Sequence, residues 1–271
     1  MPFVIVLIVI LCLAALMLFL VFPATRRHPD RKLMQNMYIA HRGLHSVYED
    51  TPENSIPAFK KAIEHGLAIE TDIHITADGE IVIFHDDTLN RMCGVDGVIE
   101  EKTLAELKAL RLGDTEHTIP TFEEFLKLVG GRVPLLIEFK TKSLKTCTPL
   151  CEKADKLLSQ YNGKYFVQSF FPFVPRWYKK NRKEICRGQL SSGYFEDKGI
   201  HMKALSYLLF NFLARPDFVA YEYKFEKNFF RRLCVFLGAH SAGWTFRSQS
   251  DVNRLEKQFS TKIFEGFIPK K

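Results

Sequence analysis

This 271-residue chain lacks several common signatures, and each absence narrows the reading. It has no glycine-rich dinucleotide fingerprint and no phosphate P-loop, which argues against an open, doubly wound nucleotide-binding sheet. No basic run is interleaved with aromatics, so the net charge of +7 does not indicate nucleic acid. That excess suits other anions, such as phosphates or membrane lipids. Cysteine is scarce and irregular. Cys12 sits in an apolar run, and Cys93, Cys147, Cys151, Cys186 and Cys234 form an odd set with no repeated ligand spacing. Cys147 and Cys151 have no second pair or nearby histidines to complete a zinc site, so reduced thiols of a cytoplasmic protein are expected.

Charge of either sign is also missing from the first 25 residues. Residues 3 to 22 read FVIVLIVILCLAALMLFLVF, twenty apolar residues in a row. At ~1.5 Å per residue such a helix covers ~30 Å, the hydrocarbon thickness of a bilayer. A cleaved leader would have a basic start and a shorter apolar core of ~7–15 residues. The basic cluster comes after the run instead, as Arg26, Arg27, Arg31 and Lys32, which by the positive-inside tendency keeps the downstream domain in the cytoplasm. The expected organisation is a transmembrane anchor at 1–23, a linker at 24–36 and one barrel domain at 37–271. The expected location is a single-pass membrane protein with a cytoplasmic catalytic domain.

With 46% apolar and 25% charged residues, the remainder can build a full core. β-type runs are expected at 38–41, 68–75, 80–84, 134–139, 165–169, 186–190, 218–222, 241–245 and 262–268. Helical patterns lie between them, near 55–65, 103–110, 121–129, 149–160, 173–182, 200–214, 227–237 and 248–258. In the first of these helices Asn54 reads as the N-cap and Gly66 as the stop. Strand–helix alternation implies a parallel sheet with helices outside. About eight repetitions predict a closed (β/α)₈ TIM barrel, with the segment 87–120 and its Gly94–Gly97 turn as a small insertion.

Chemistry collects at the strand ends. In AIETDIHIT the carboxylates Glu70 and Asp72 share one face, with His74 next in line, while Ile69, Ile73 and Ile75 supply the face that packs on helices. Two carboxylates buried together repel unless a cation or proton lies between them. PLLIEFKT places Glu138 and Lys140 at the same i, i+2 spacing. Three carboxylates without sulfur describe a hard, oxygen-ligated divalent cation, Mg²⁺ or Ca²⁺. His41 and His85 both sit where a strand gives way to a loop, the face on which barrels carry their sites. One imidazole can take a proton while the other supplies one. Arg42 can grip a phosphate through its planar fork.

In this order, HRG (41–43), PENS (52–55), ETD (70–72), HDDTLNR (85–91), IEFK (137–140), QSF (168–170) and GWT (243–245) make the chain resemble the glycerophosphodiester phosphodiesterase family. The likeness runs from Tyr38 onward. It implies a TIM barrel in which His41 and His85 are the acid–base pair and Glu70, Asp72 and Glu138 bind the divalent cation. It also implies that Arg42 and Lys140 hold the phosphate, that Trp244 lines the glycerol side and that Asp86 orients a loop or imidazole. Phe171, where the family often has a polar residue, and the ending FEGFI, without the usual acidic tail, depart from the pattern.

The expected reaction is metal-dependent hydrolysis of a glycerophosphodiester to glycerol 3-phosphate and an alcohol. The attacking hydroxyl is either water or the glycerol 2-hydroxyl. The alternative is a lysophospholipase D, cleaving the same bond in a substrate that keeps an acyl chain; the anchor and the apolar stretch 201–215 favour it. A silent scaffold barrel would have broken site positions, and none is broken.

Overall fold

The computed structural model describes residues 2–25, 28–46, 48–193 and 199–270. Arg26 and Arg27, half of the expected basic cluster, lie outside the described residues. Two helices, α1 (Pro2–Val21) and α2 (Arg31–Met34), precede β1 (Tyr38–Ala40). Next come α3 (Ile56–Glu64), β2 (Ala68–Ile75), β3 (Ile81–Ile83), α4 (Asn90–Cys93), α5 (Leu104–Lys108) and α6 (Phe122–Val129). The middle of the chain holds β4 (Leu135–Phe139), α7 (Leu144–Leu158), β5 (Tyr165–Ser169), α8 (Phe173–Asn181) and β6 (Arg187–Ser191). It ends with α9 (Ile200–Ser206), α10 (Asn211–Ala214), β7 (Phe218–Glu222), α11 (Phe229–Phe236), β8 (His240–Phe246), α12 (Gln249–Arg254) and β9 (Thr261–Phe264).

Eight of these strands are parallel and close into a ring. β1 pairs with β2 through Ile39 and Ala68 and with β9 through Ile39 and Ile263, so no parallel edge is left open. The chain is a TIM barrel. The run expected at 80–84 forms β3, which lies antiparallel on β2 outside the ring, with Ile73 opposite Ile83. Its own apolar cluster, including Val82, Phe84, Leu107 and Ile119, gives the insertion a small core.

Alternation along each strand sorts side chains into two layers. Ile69 and Ile73 of β2, with Leu135 and Ile137 of β4, pack outward against Phe59, Phe125 and Leu150 of the helices. Inward-facing Ala68, Leu136, Phe166, Phe218, Ala242 and Ile263 fill the barrel, and Met34 joins them. The segment expected as linker therefore contains α2, and its Met34 is fully buried.

Several element ends differ from expectation for local reasons. Ser55, not Asn54, caps α3, its hydroxyl accepting from the Ala58 amide. The helix expected from Pro149 starts at Leu144, capped by Ser143, with Pro149 inside it. The single helix expected over 200–214 is two, because Leu208 takes a positive φ of 57° between α9 and α10. The last strand, expected to reach 268, ends at Phe264, and the chain turns at Gly266 with φ 77°.

Candidate active site

The backbone after β1 shows why a strand ends in histidine and arginine. Arg42 sits at φ 55° and Gly43 at φ 81°, a sharp turn that sends the chain back over α3. A Cβ on Gly43 would lie 2.9 Å from the Ala58 carbonyl carbon, so only glycine fits there. The turn aims the Arg42 amide at Glu70 Oε2, 3.1 Å away, and leaves the guanidinium 3.6 Å from Asp72 Oδ2 with Nη1 donating to Glu53 at 2.7 Å.

Glu70 and Asp72 of β2 and Glu138 of β4 meet inside the barrel, where Asp72 and Glu138 are register partners. One carboxylate oxygen from each lies within 4.8 Å of the others, and all three residues are buried. Lys140 Nζ reaches in between, 2.6 Å from Glu138 Oε1 and 3.1 Å from Asp72 Oδ1. Asn54, displaced from its expected capping role, donates to Asp72 Oδ2 at 2.9 Å and accepts from the Thr71 hydroxyl at 3.0 Å.

These carboxyls do not share charge equally. Burial, then the Asp72 and Glu138 charges, push Glu70 well above the usual carboxylate range. Burial likewise lifts Glu138 to about 7, with Lys140 pulling against it. Asp72 goes the other way. Burial would raise it, but the cationic forms of Lys140, His85 and Arg42 together hold it down. Burial opposes the charge on Lys140, yet Asp72 and Glu138 outweigh it and raise its affinity for the proton. Lys140 and Arg42 thus set two cations against three buried carboxylates, so full ionisation of the trio calls for a further positive charge.

Each histidine is held at Nδ1 by a carboxylate. His41 Nδ1 donates to Glu265 Oε2 at 2.5 Å, and its Nε2 points toward Glu70, 4.0 Å from Oε2. His85 Nδ1 donates to Asp86 Oδ1 at 2.6 Å. A carboxylate partner fixes the tautomer, so in each neutral ring Nε2 is the acceptor. Burial lowers both imidazoles, His41 against the Glu265 hydrogen bond and His85 to about 4 against the Asp72 charge. Burial would raise Glu265, but the His41 hydrogen bond and charge, then Arg247, hold it near 2. Asp86 is clasped further by Arg91, whose guanidinium also donates to Glu53.

Trp244 closes the set at the end of β8. It stands perpendicular to Phe170 at 5.8 Å, and its indole N–H has no acceptor among the described residues. Phe171 lies elsewhere, in the outer layer 5.2 Å from Phe173. Six of the eight expected site residues, His41, Arg42, Glu70, Asp72, Glu138 and Lys140, meet at the C-terminal side of the parallel strands. His85 comes to Asp72 from the loop after the antiparallel β3, and Trp244 stands near the end of β8 beside Phe170. Glu265, Glu53 and Arg91 were not foreseen as site members. A carboxylate directly after a barrel strand is the signal that could have flagged Glu265, but extending the last strand through 268 hid it.

Residues 41–170 match the model of the glycerophosphoryl diester phosphodiesterase family. A glycerophosphodiester phosphodiesterase of Caldanaerobacter subterraneus is 30% identical over 237 residues, covering 83% of this chain and 91% of that one. A human lysophospholipase D is 25% identical over 180 residues, 60% of this chain and 55% of the other. In fold, the chain resembles an Oleispira antarctica phosphodiesterase solved with the product sn-glycerol-3-phosphate. The TM-score is 0.68 at 23% identity, over 87% of this chain and 94% of that one.

Proposed function

This chain belongs to the glycerophosphoryl diester phosphodiesterase family and is a phosphodiesterase, and on that premise we propose that it releases glycerol 3-phosphate from glycerophosphodiesters by paired-histidine catalysis beside a divalent cation. The observation that carries the reading is the placement of two carboxylate-locked imidazoles around one buried carboxylate trio.

Glu70, Asp72 and Glu138 would hold the cation, and their all-oxygen donors suit Mg²⁺ or Ca²⁺. When bound, such an ion neutralises phosphate charge and acidifies an attacking hydroxyl. The chain's own residues do the rest. Arg42 and Lys140 bind the phosphate oxygens from the barrel wall, and Trp244 offers an apolar face and a free N–H to the glycerol. His41 and His85 exchange protons through Nε2, one with the attacking hydroxyl and one with the departing alcohol oxygen. An open cavity of about 480 Å³ lies beside Glu265, lined by Tyr48, Lys61, Arg247 and Phe267.

α1 spans the membrane in this reading, with the barrel on the cytoplasmic side. Its presence beside the barrel favours a second reading in which the substrate is a lysophospholipid. The test is release of glycerol 3-phosphate from glycerophosphocholine by the full-length protein, with and without chelator. Activity that disappears with chelator and returns with Mg²⁺ or Ca²⁺ is expected. Full activity in excess chelator would remove the cation from the reading.

A further inference from the structure

Beyond α1, only two phenylalanines among the described residues are exposed, Phe229 and Phe236. Both belong to α11, seven residues apart and hence on one face, while Arg231 and Cys234 are buried on the other. A two-turn helix rarely leaves two of its three phenylalanines in water without a reason.

The same helix receives α1. Val21 is fully buried, and its carbonyl accepts from Asn211 Nδ2 at 3.1 Å and lies 3.7 Å from Cys234 Sγ of α11. Arg215, just after α10, donates to the carbonyls of Phe19 at 2.6 Å and Phe22 at 2.9 Å, and its guanidinium sits 4.7 Å above the Phe19 ring. Phe212 adds a ring contact to Phe19 at 5.9 Å. Carbonyls that a helix end ordinarily leaves open are thus taken by the barrel domain. The apolar helix is fastened to the barrel rather than tethered by a free strand of chain.

Topology extends this contact up the flank. α10 leads into the N-terminal end of β7, and α11 starts from the C-terminal end, the face that carries the site. Phe236 therefore lies toward the end where α1 docks, and Phe229 toward the mouth. Over residues 199–238 there are six Lys or Arg against three Asp or Glu, and one of the acids, Asp217, is buried beside Arg187. Lys203, Lys224, Lys227 and Arg232 are exposed. Exposed aromatics among exposed cations are the composition of a helix lying in the headgroup region of an anionic leaflet.

We propose that the α9–α11 flank is a membrane-docking face, with Phe229 and Phe236 inserted beside α1 in an anionic lipid surface. The barrel then lies along the membrane with its mouth level with the headgroups. This face rests on the reading of α1 as a span, and the test separates the two.

Full-length protein is reconstituted into phosphatidylcholine–phosphatidylglycerol vesicles containing bromine-labelled lipid. Tryptophan fluorescence is measured for Phe229→Trp, Phe236→Trp and Glu116→Trp, each against the parent protein. Glu116 is an exposed control in the insertion between β2 and β4, across the ring from β7. Quenching of roughly half or more of the added fluorescence at 229 and 236, with little at 116, is expected for side chains at the acyl boundary. Protein that stays in the vesicles after alkaline carbonate but shows equal quenching at all three positions would overturn the docking face alone. Release of the parent protein by carbonate would overturn the span and the face together.

Discussion

The two histidine–carboxylate pairs have the same local geometry and opposite histories in the chain. His85 takes its partner from the next residue, and Asp86 is braced by Arg91, five positions on. His41 takes its partner from Glu265, 224 residues away, and the pair forms only because β9 closes the ring beside β1. The first pair is a feature of one loop, partly open to water. The second is a product of barrel closure and sits deeper, with His41 13% and His85 32% exposed at the side chain. Matching imidazole geometries can therefore be built from unequal materials, and they should fail differently.

The largest effect should treat the pairs alike. His41→Ala and His85→Ala are each expected to lower turnover by roughly 10²–10⁴-fold, with the double variant barely worse than either single one. A nitrophenolate leaving group needs little protonation, so it should rescue only the variant lacking the acid. Equal rescue of both would break the division of labour.

Replacing the carboxylates should expose the difference. Glu265→Gln and Asp86→Asn each keep a hydrogen bond while removing the charge that sets the tautomer, and losses of about 10–100-fold are expected. The Glu265 loss should be the larger, because water can partly stand in for Asp86 at the more open ring. A larger loss from Asp86→Asn, measured as kcat on glycerophosphocholine, would reverse the ranking.

Both pairs face the carboxylate trio, whose protonation sets a shared limit. Glu138 is raised from 4.5 to about 7, so between those values the folded form holds a proton that the unfolded chain has lost. Stability from that proton is present below the unfolded value and is lost as pH rises through about 7 in metal-free protein. A cation must displace it, so apparent Mg²⁺ or Ca²⁺ affinity should weaken up to about tenfold per pH unit below 7. Calorimetric titration at pH 6 and pH 8 measures this, and a pH-independent affinity would argue against a proton-holding trio.

The smallest effect is expected from Arg91→Ala, since Arg91 braces Asp86 directly and reaches the His41 side only through Glu53 and Arg42. Arg91 is half exposed, so its ion pairs contribute about 1 kcal/mol or less. A few-fold loss of turnover with an unchanged melting temperature would fit a bracing role. A loss as large as that of His85→Ala would make Arg91 a substrate ligand instead.

What the sequence determined alone was everything carried by short-range pattern. Period-two alternation placed Glu70 and Asp72 inside and Ile69 and Ile73 outside, because neighbouring strand side chains must point to opposite faces. The HRG, ETD, HDDTLNR and IEFK stretches marked the candidate residues that gather around the carboxylate trio, and an uncharged run of twenty located α1. Tertiary structure decided which groups meet across long stretches of chain. Glu265 reaches His41 through ring closure, Asn54 leaves the cap of α3 for Asp72, and Met34 leaves an expected linker to fill the barrel. The docking of α1 on Asn211, Arg215 and Cys234 belongs there too. No local pattern encodes these meetings, since they depend on the curvature and register of eight strands closing on one another.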